Sequence, residues 1–294
     1  MVSGDTRRSG FDYLNIVLMA LLCACTIYPF LYILNISLSS PEAASQAGLH
    51  LWPQGMRFTA YRGILDDRHF LRSYVNIIAV TAIGTFLGLL VSAAAAYTLS
   101  RKRFPLRKSI LFLLTVTIVF NGGLIPYYLV VRSFHLIDTW VPLWLPVMTG
   151  VFNVVILKNF FLAVPAELEE SAKIDGASDF RIFAGIVVPL SKPVLATVGL
   201  WLAVQLWNDW FTPYLYINDP NKVTLPLVLR KYVVENDLTQ VGSFAAAIAN
   251  VTDRPIPTQI VSAVIVVSIL PMLIAYPYIQ RFFVSGIVLG SVKE

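Results

Sequence analysis

Four polar residues in the second half of the chain could handle a solute: Gln205, Asn208, Asp209 and Thr212. Their i, i+3, i+4 and i+7 spacing puts them on one helical face. Trp201 extends that stripe, and Trp207 and Trp210 flank it. Amide and carboxylate groups beside aromatic faces suit a sugar ring, which offers apolar faces and many hydroxyls. The same side chains could instead satisfy neighbouring backbone at a kink before Pro213, because intramembrane polar groups often serve helix packing. Both readings stand at this point.

A second stretch invites a partner rather than a substrate. Residues 164–193 are polar between two apolar runs, with Glu167, Glu169, Glu170, Lys173, Asp175, Asp179 and Arg181 close together. The pattern predicts two short helices joined at a glycine. Pro165 suits a first helical turn, and the glutamates after it sit where the helix dipole favours negative charge. Gly176 falls where a left-handed cap is needed, and Ser178 or Asp179 can cap the second helix. Pro189 and Pro193 then end that helix and start another. Leu168, Ala172 and Ile174 are available for packing.

These residues must be positioned by membrane spans. Of the 294 residues, 57% are hydrophobic and 13% charged, and mean hydropathy is +0.71. Soluble domains carry about 25% charged residues, so the composition belongs to a polytopic membrane protein. The net charge of +5 then reads as membrane topology charge. No basic patch interleaved with exposed aromatics points to nucleic acid. A helix needs roughly 20 apolar residues to span a bilayer. Candidate spans are 14–34, 75–99, 109–131, 141–162, 194–217 and 259–283, in one transmembrane domain covering 1–294. The fold class expected is all-α, with six spans.

Arg101, Lys102, Arg103, Arg107 and Lys108 crowd the connection between the second and third spans. By the positive-inside rule they face the cytoplasm, as do both termini and the 164–193 hairpin. The first external segment, 39–72, reads as interfacial helix. Gly84, Gly88, Ser92 and Ala96 recur every fourth residue in span two, a small-residue ridge that favours close helix approach. Span three is interrupted by Asn121-Gly122-Gly123-Leu124-Ile125-Pro126. That break is either a simple kink or a bend shaping a solute vestibule, with Asn121 and Tyr127 on its wall. Asn153 lies mid-way along span four. The long external segment 218–258 suits a partner or a lid.

Several chemistries are missing. The sequence has no Walker A pattern, H-E-x-x-H or G-x-S-x-G. His50, His69 and His135 have no metal-ligand spacing, and Cys23 and Cys25 read as packing residues. Asp209 is nearly alone as an intramembrane carboxylate, without a basic partner for a proton relay. No catalytic residue, metal site or cofactor is therefore expected within the chain, and the energy source should lie in another subunit. A stand-alone secondary carrier and a membrane glycosyl-transferring enzyme remain as other classes.

The hairpin resembles the EAA loop of bacterial ABC importer permeases, whose pattern is Glu-Ala-Ala, three residues, Gly, nine residues, Ile, one residue, Leu-Pro. Here Glu170-Ser171-Ala172, Gly176, Ile186 and Val188-Pro189 match that spacing. Trp207-Asn208-Asp209-Trp210 with Pro213 resembles the carbohydrate branch, near the smaller maltose-type subunit. The Asn121–Pro126 motif and the ending Gly286-Ile287-Val288-Leu289-Gly290-Ser291-Val292-Lys293-Glu294 look more like the subgroup for polysaccharide-derived sugars, alginate-type importers included. The resemblance implies import of an oligo- or polysaccharide by alternating access in a cytoplasmic (inner) membrane. It implies a second homologous permease, two ATPase subunits that bind the ATP and Mg, and an extracytoplasmic solute-binding protein. It places ATPase coupling on Glu169, Glu170, Ser171, Ala172, Asp175, Gly176, Ala177, Ile186 and Pro189. Binding-protein contact would fall on 218–258 and ATPase-interface contact on 284–294.

Overall fold

Apolar length decides most of this fold. The computed structural model describes residues 10–46, 48–120, 122–234 and 255–291, with side chains as far as Pro277. Among the described residues every regular element is helical. Three helices are long and apolar enough to cross a membrane: α1 (Gly10–Leu38), α4 (Arg68–Ser100) and Pro257–Pro277, the first part of α14 (Pro257–Ser291). The count reaches six if each of three bent helix pairs is one span.

The breaks in those pairs have local causes. The Gly-Gly-Pro stretch parts α5 (Arg107–Val119) from α6 (Leu124–Ser133), and Gly123 there takes φ +83°. Pro126 falls in the first turn of α6, where a missing N–H costs little. Residues 141–162 form not one straight helix but α7 (Val141–Met148) and α8 (Val151–Leu162), bent by 41° across Thr149 and Gly150. Likewise 194–217 divides into α11 (Lys192–Asn208) and α12 (Phe211–Tyr216). Hydropathy averaged over a whole stretch is blind to such interruptions.

The chain divides into two compact units. One is drawn from Met1–Arg68 and Lys231–Leu270. In it, the C-terminal end of α1, the short α2 (Pro41–Ala44) and the start of α14 are stitched by polar bonds. Gln259 Nε2 donates to the Ser39 carbonyl at 2.6 Å, and Asn35 Nδ2 to the His50 carbonyl at 2.7 Å. The Ser37 and Tyr61 hydroxyls meet at 2.6 Å, tying in α3 (Thr59–Asp66).

The other unit, His69–Arg230 and Pro271–Glu294, holds the main hydrophobic core. Its axis is the small-residue ridge of α4, with Gly84, Gly88, Ser92 and Ala96 all buried as expected. A methyl on Gly84 would stand 2.7 Å from both Leu206 Cδ1 and Trp144 Cδ1, and one on Gly88 would stand 2.9 Å from Leu202 Cδ1. In lipid, where apolar surface gains nothing from burial, this close packing is what holds helices together. At one end of the unit, Asn76 Nδ2 donates to the Asn221 and Val223 carbonyls at 2.9 and 2.8 Å. The Asp138 carboxylate accepts from the Asn218 and Asp219 N–H groups at 2.7 and 2.8 Å. These bonds fix the loop that leads to α13 (Leu225–Val234).

Candidate functional site

Residues of α5, α7, α8 and α11, with the break before α6, line a cavity of about 1030 Å³. Trp201 and Gln205 lie on its wall, one helical turn apart on α11. Opposite, α8 contributes Phe152 and Asn153, and the Phe152 and Trp201 rings lie 5.3 Å apart at 39°. Thr117 and Thr149 add hydroxyls. An aromatic pair beside amides and hydroxyls can hold a solute with an apolar face and polar edges.

Of the other residues expected along the solute path, Asn208, Asp209, Thr212 and Tyr127 are not on the cavity wall. The single helical face through Gln205, Asn208, Asp209 and Thr212 does not persist, because α11 ends at Asn208. Asn208 Nδ2 donates to the Val204 carbonyl at 2.8 Å, one turn back. Asp209 Oδ1 accepts from the Phe211 and Thr212 N–H groups at 3.1 and 3.0 Å, capping α12. Both side chains thus satisfy backbone at the helix break, the alternative left open from sequence. Tyr127 donates its hydroxyl to the Pro142 carbonyl at 3.1 Å. Asn121 lies outside the described residues. Trp207 is buried edge-on against Tyr74, with centroids 6.3 Å apart, and Trp210 lies under the Arg230 guanidinium at 4.5 Å.

The polar stretch forms the expected hairpin. Its limbs are α9 (Ala166–Ile174) and α10 (Asp179–Leu190), the latter containing a π-helical turn at Phe183–Val187. Gly176 takes φ +77°. The Ala177 N–H reaches the Ala172 carbonyl at 2.9 Å and the Gly176 N–H the Lys173 carbonyl at 3.0 Å, a Schellman cap. The Ser178 hydroxyl then accepts from the Arg181 N–H at 3.3 Å, so Ser178 rather than Asp179 caps α10. The chain bends by 82° at Ser191 as it enters α11.

The hairpin has two faces of different character. Ala172, Ala177, Phe183 and Ile186 pack against the core, while Ile182 and Val187 are fully buried. Outward, Glu170, Ser171, Asp175 and Pro189 are exposed, and so are Ile174 at 87% and Phe180 at 77%. This face therefore carries two exposed large apolar side chains among carboxylates.

Glu169 points the other way. It is only 8% exposed and is ion-paired with Arg101, just past the end of α4. Arg101 also lies over the Tyr97 ring, 4.2 Å from its centroid. The Tyr97 hydroxyl donates to the Asp179 carbonyl at 3.2 Å, and its ring meets that of Phe183 at 4.9 Å. Burial pulls the Arg101 guanidinium below its ordinary value, while Tyr97 and Asp179 push it back up. Arg101 and Glu169 are far apart in sequence, and nothing in their spacing announces the pair.

The model of the family described as "Binding-protein-dependent transport system inner membrane component" matches residues 84–288. The chain belongs to this family. Among its relatives, Protein LplC of Bacillus subtilis is 41% identical, with 96% of this chain and 95% of LplC covered. The polygalacturonan/rhamnogalacturonan transport system permease protein YtcP of the same organism is 39% identical, with 95% of each chain covered. Among solved structures, a bacterial ABC transporter involved in import of the acidic polysaccharide alginate is 34% identical, with a TM-score of 0.85 over 93% of this chain and 96% of that one. The protein is thus a multi-pass component of an inner-membrane transport system, and the expected kinship with carbohydrate ABC permeases is borne out.

For such a component the cavity and hairpin are the features to explain. Among the described residues, no group of three or more His, Cys, Asp or Glu comes together to hold a metal. Sequence reasoning missed Phe152 and Thr149 on the cavity wall. Asn153, a lone amide mid-way along an apolar run, was the one available signal.

Proposed function

We propose that the chain is the membrane-spanning permease of an ATP-driven importer, moving an oligo- or polysaccharide through its cavity by alternating access. The aromatic and amide wall formed by Phe152, Trp201, Asn153 and Gln205 carries this reading. Its volume of about 1030 Å³ sits at the upper end of the ~300–1,000 Å³ of small-molecule sites, which suits a saccharide of more than one ring. An acidic, alginate-like glycan fits the substrates in the names of YtcP and the alginate transporter. Arg230, stacked over Trp210 and Tyr214 at 4.5 and 4.9 Å, supports that preference. Lys231 is half-buried, and Arg254 lies outside the described residues.

On this reading the outward face of the hairpin, with Glu170, Ser171, Ile174, Asp175 and Gly176, docks on a cytoplasmic ATPase. Ala172, Ala177 and Ile186 hold it to the permease. The chain itself is not an enzyme and takes no cofactor; two ATPase subunits bind ATP and Mg. A second homologous permease completes the pore, and an extracytoplasmic binding protein delivers the sugar. Both termini and the basic 101–108 connection face the cytoplasm, with six spans. Segments 235–254 and 292–294, given docking roles by resemblance, lie outside the described residues.

The test is ATPase stimulation and uptake by the reconstituted complex across uronate and neutral oligosaccharides, each with the loaded binding protein. Stimulation and uptake by one carbohydrate class are expected. Uptake in proteoliposomes holding this chain alone, without ATPase subunits, would identify a secondary carrier and overturn the reading.

A further inference from the structure

The inner end of α4 is fastened to both limbs of the hairpin by two residues one turn apart. Arg101 pairs with buried Glu169 on α9, and Tyr97 bonds Asp179 on α10 while its ring supports the guanidinium. A hairpin that only needed to hang from α11 would not require this. Burying a charged pair costs solvation, so such pairs are weak sources of stability but hold a fixed geometry. From this clasp α4 runs to the cavity: a methyl on Gly88 would stand 2.9 Å from Leu202 Cδ1 and 3.2 Å from the Val147 carbonyl, and both residues line the cavity. Core packing this close moves as a body rather than deforming.

We propose that Arg101 is a positioning residue that clasps the hairpin to α4, so that displacement of the hairpin reaches the cavity wall through α4 as well as through α11. The inference rests on the proposed docking of the hairpin on an ATPase. Force applied at Ile174 or Phe180 would turn the hairpin about its covalent junction at Ser191 if the clasp were absent. The 82° bend there makes a poor lever, because the limbs could pivot without moving the helices. With Glu169 and Asp179 both tied to the last turn of α4, the hairpin and α4 move together. Lysine at position 101 would keep the charge but lose the planar stack on Tyr97.

The experiment uses the whole complex in nanodiscs and proteoliposomes. Arg101→Gln, Glu169→Gln, the double variant, Tyr97→Phe and the exchange Arg101→Glu with Glu169→Arg are each measured for uptake per ATP hydrolysed. A photo-crosslinking side chain at Ile174 reports hairpin–ATPase contact in the same samples. Arg101→Gln and Glu169→Gln should each lower uptake per ATP at least about fivefold, the low end of ordinary coupling between sites. The double variant should be no worse than either single one, and the exchange should recover part of the loss. Crosslinking to the ATPase should persist throughout. Wild-type uptake per ATP in an assembled Arg101→Gln complex, or additive losses in the double variant, overturns the clasp. Absence of crosslinking in the wild type overturns the docking reading instead. If Arg101→Gln fails to assemble, Tyr97→Phe, which removes one hydroxyl and keeps the ring, carries the test: unchanged uptake per ATP there counts against the clasp.

Discussion

Replacing Gly84 with alanine places a methyl where α4 has no room for one. The new Cβ would stand 2.7 Å from Leu206 Cδ1 and 2.7 Å from Trp144 Cδ1. The leucine tip can rotate away. The indole is held, since its Nε1 donates to the Val80 carbonyl at 3.1 Å and its ring abuts Trp140 at 6.3 Å. Overpacking of this kind costs ~1–3 kcal/mol. Removing a mid-helix glycine offsets about 1 kcal/mol of that, leaving a net loss of about 0–2 kcal/mol. At Gly199 the same change meets only the Leu89 side chain, with Cδ1 at 3.0 Å, and the two effects should nearly cancel. Thermal unfolding of the purified complex in nanodiscs measures the contrast. About 1 kcal/mol corresponds to a shift of roughly 2–4 °C for a body of this size. Gly84→Ala should melt lower than Gly199→Ala by about that amount. If Gly84→Ala melts at or above both Gly199→Ala and wild type, the ridge is not a packing constraint.

Other substitutions separate the cavity, the helix break and the hairpin. Trp201→Ala and Gln205→Ala should raise the KM for uptake several-fold while leaving the melting temperature near wild type, because both side chains face the cavity. Asp209→Ala should do the reverse, lowering stability by about 1 kcal/mol through loss of the α12 cap and leaving KM unchanged. Gly176→Val strains a left-handed position at a cost of about 1–2 kcal/mol. Its Cβ meets no atom of this chain within 4 Å, so on the proposed docking it should project toward the ATPase. Insertion should be normal and coupled uptake lost, read as uptake per ATP in the assembled complex.

What could be read from the sequence was what depends on near neighbours. The Gly176 cap and the Ser178 cap are set within a few residues, so the hairpin appears with its turn where the side chains require it. The Gly84–Ala96 ridge likewise depends only on a four-residue repeat along one helix. The solute path was harder because its reading assumed an unbroken helix past Asn208. Asp209 is a strong helix-start residue, and a carboxylate that can cap α12 leaves a helical face for the same reason that it marks a boundary. Asn153 is the contrasting case: it lies in the first turn of α8, just after the Thr149-Gly150 break, and stands at the cavity.

Pairings across the core carry no local signal, and Arg101 is the clearest instance. From sequence it belongs to a basic run that sets membrane orientation, and Lys102, Arg103, Arg107 and Lys108 would serve that purpose equally well. What singles it out is its place one turn after Tyr97, at the point where α4 stops and the hairpin returns. At that position the guanidinium lies over the Tyr97 ring and also reaches Glu169. On the proposed topology the run is basic because it faces the cytoplasm, and the contacts with Tyr97 and Glu169 call for an arginine at position 101. If orientation alone were at stake, moving that charge by one residue would be silent. The clasp requires that it is not.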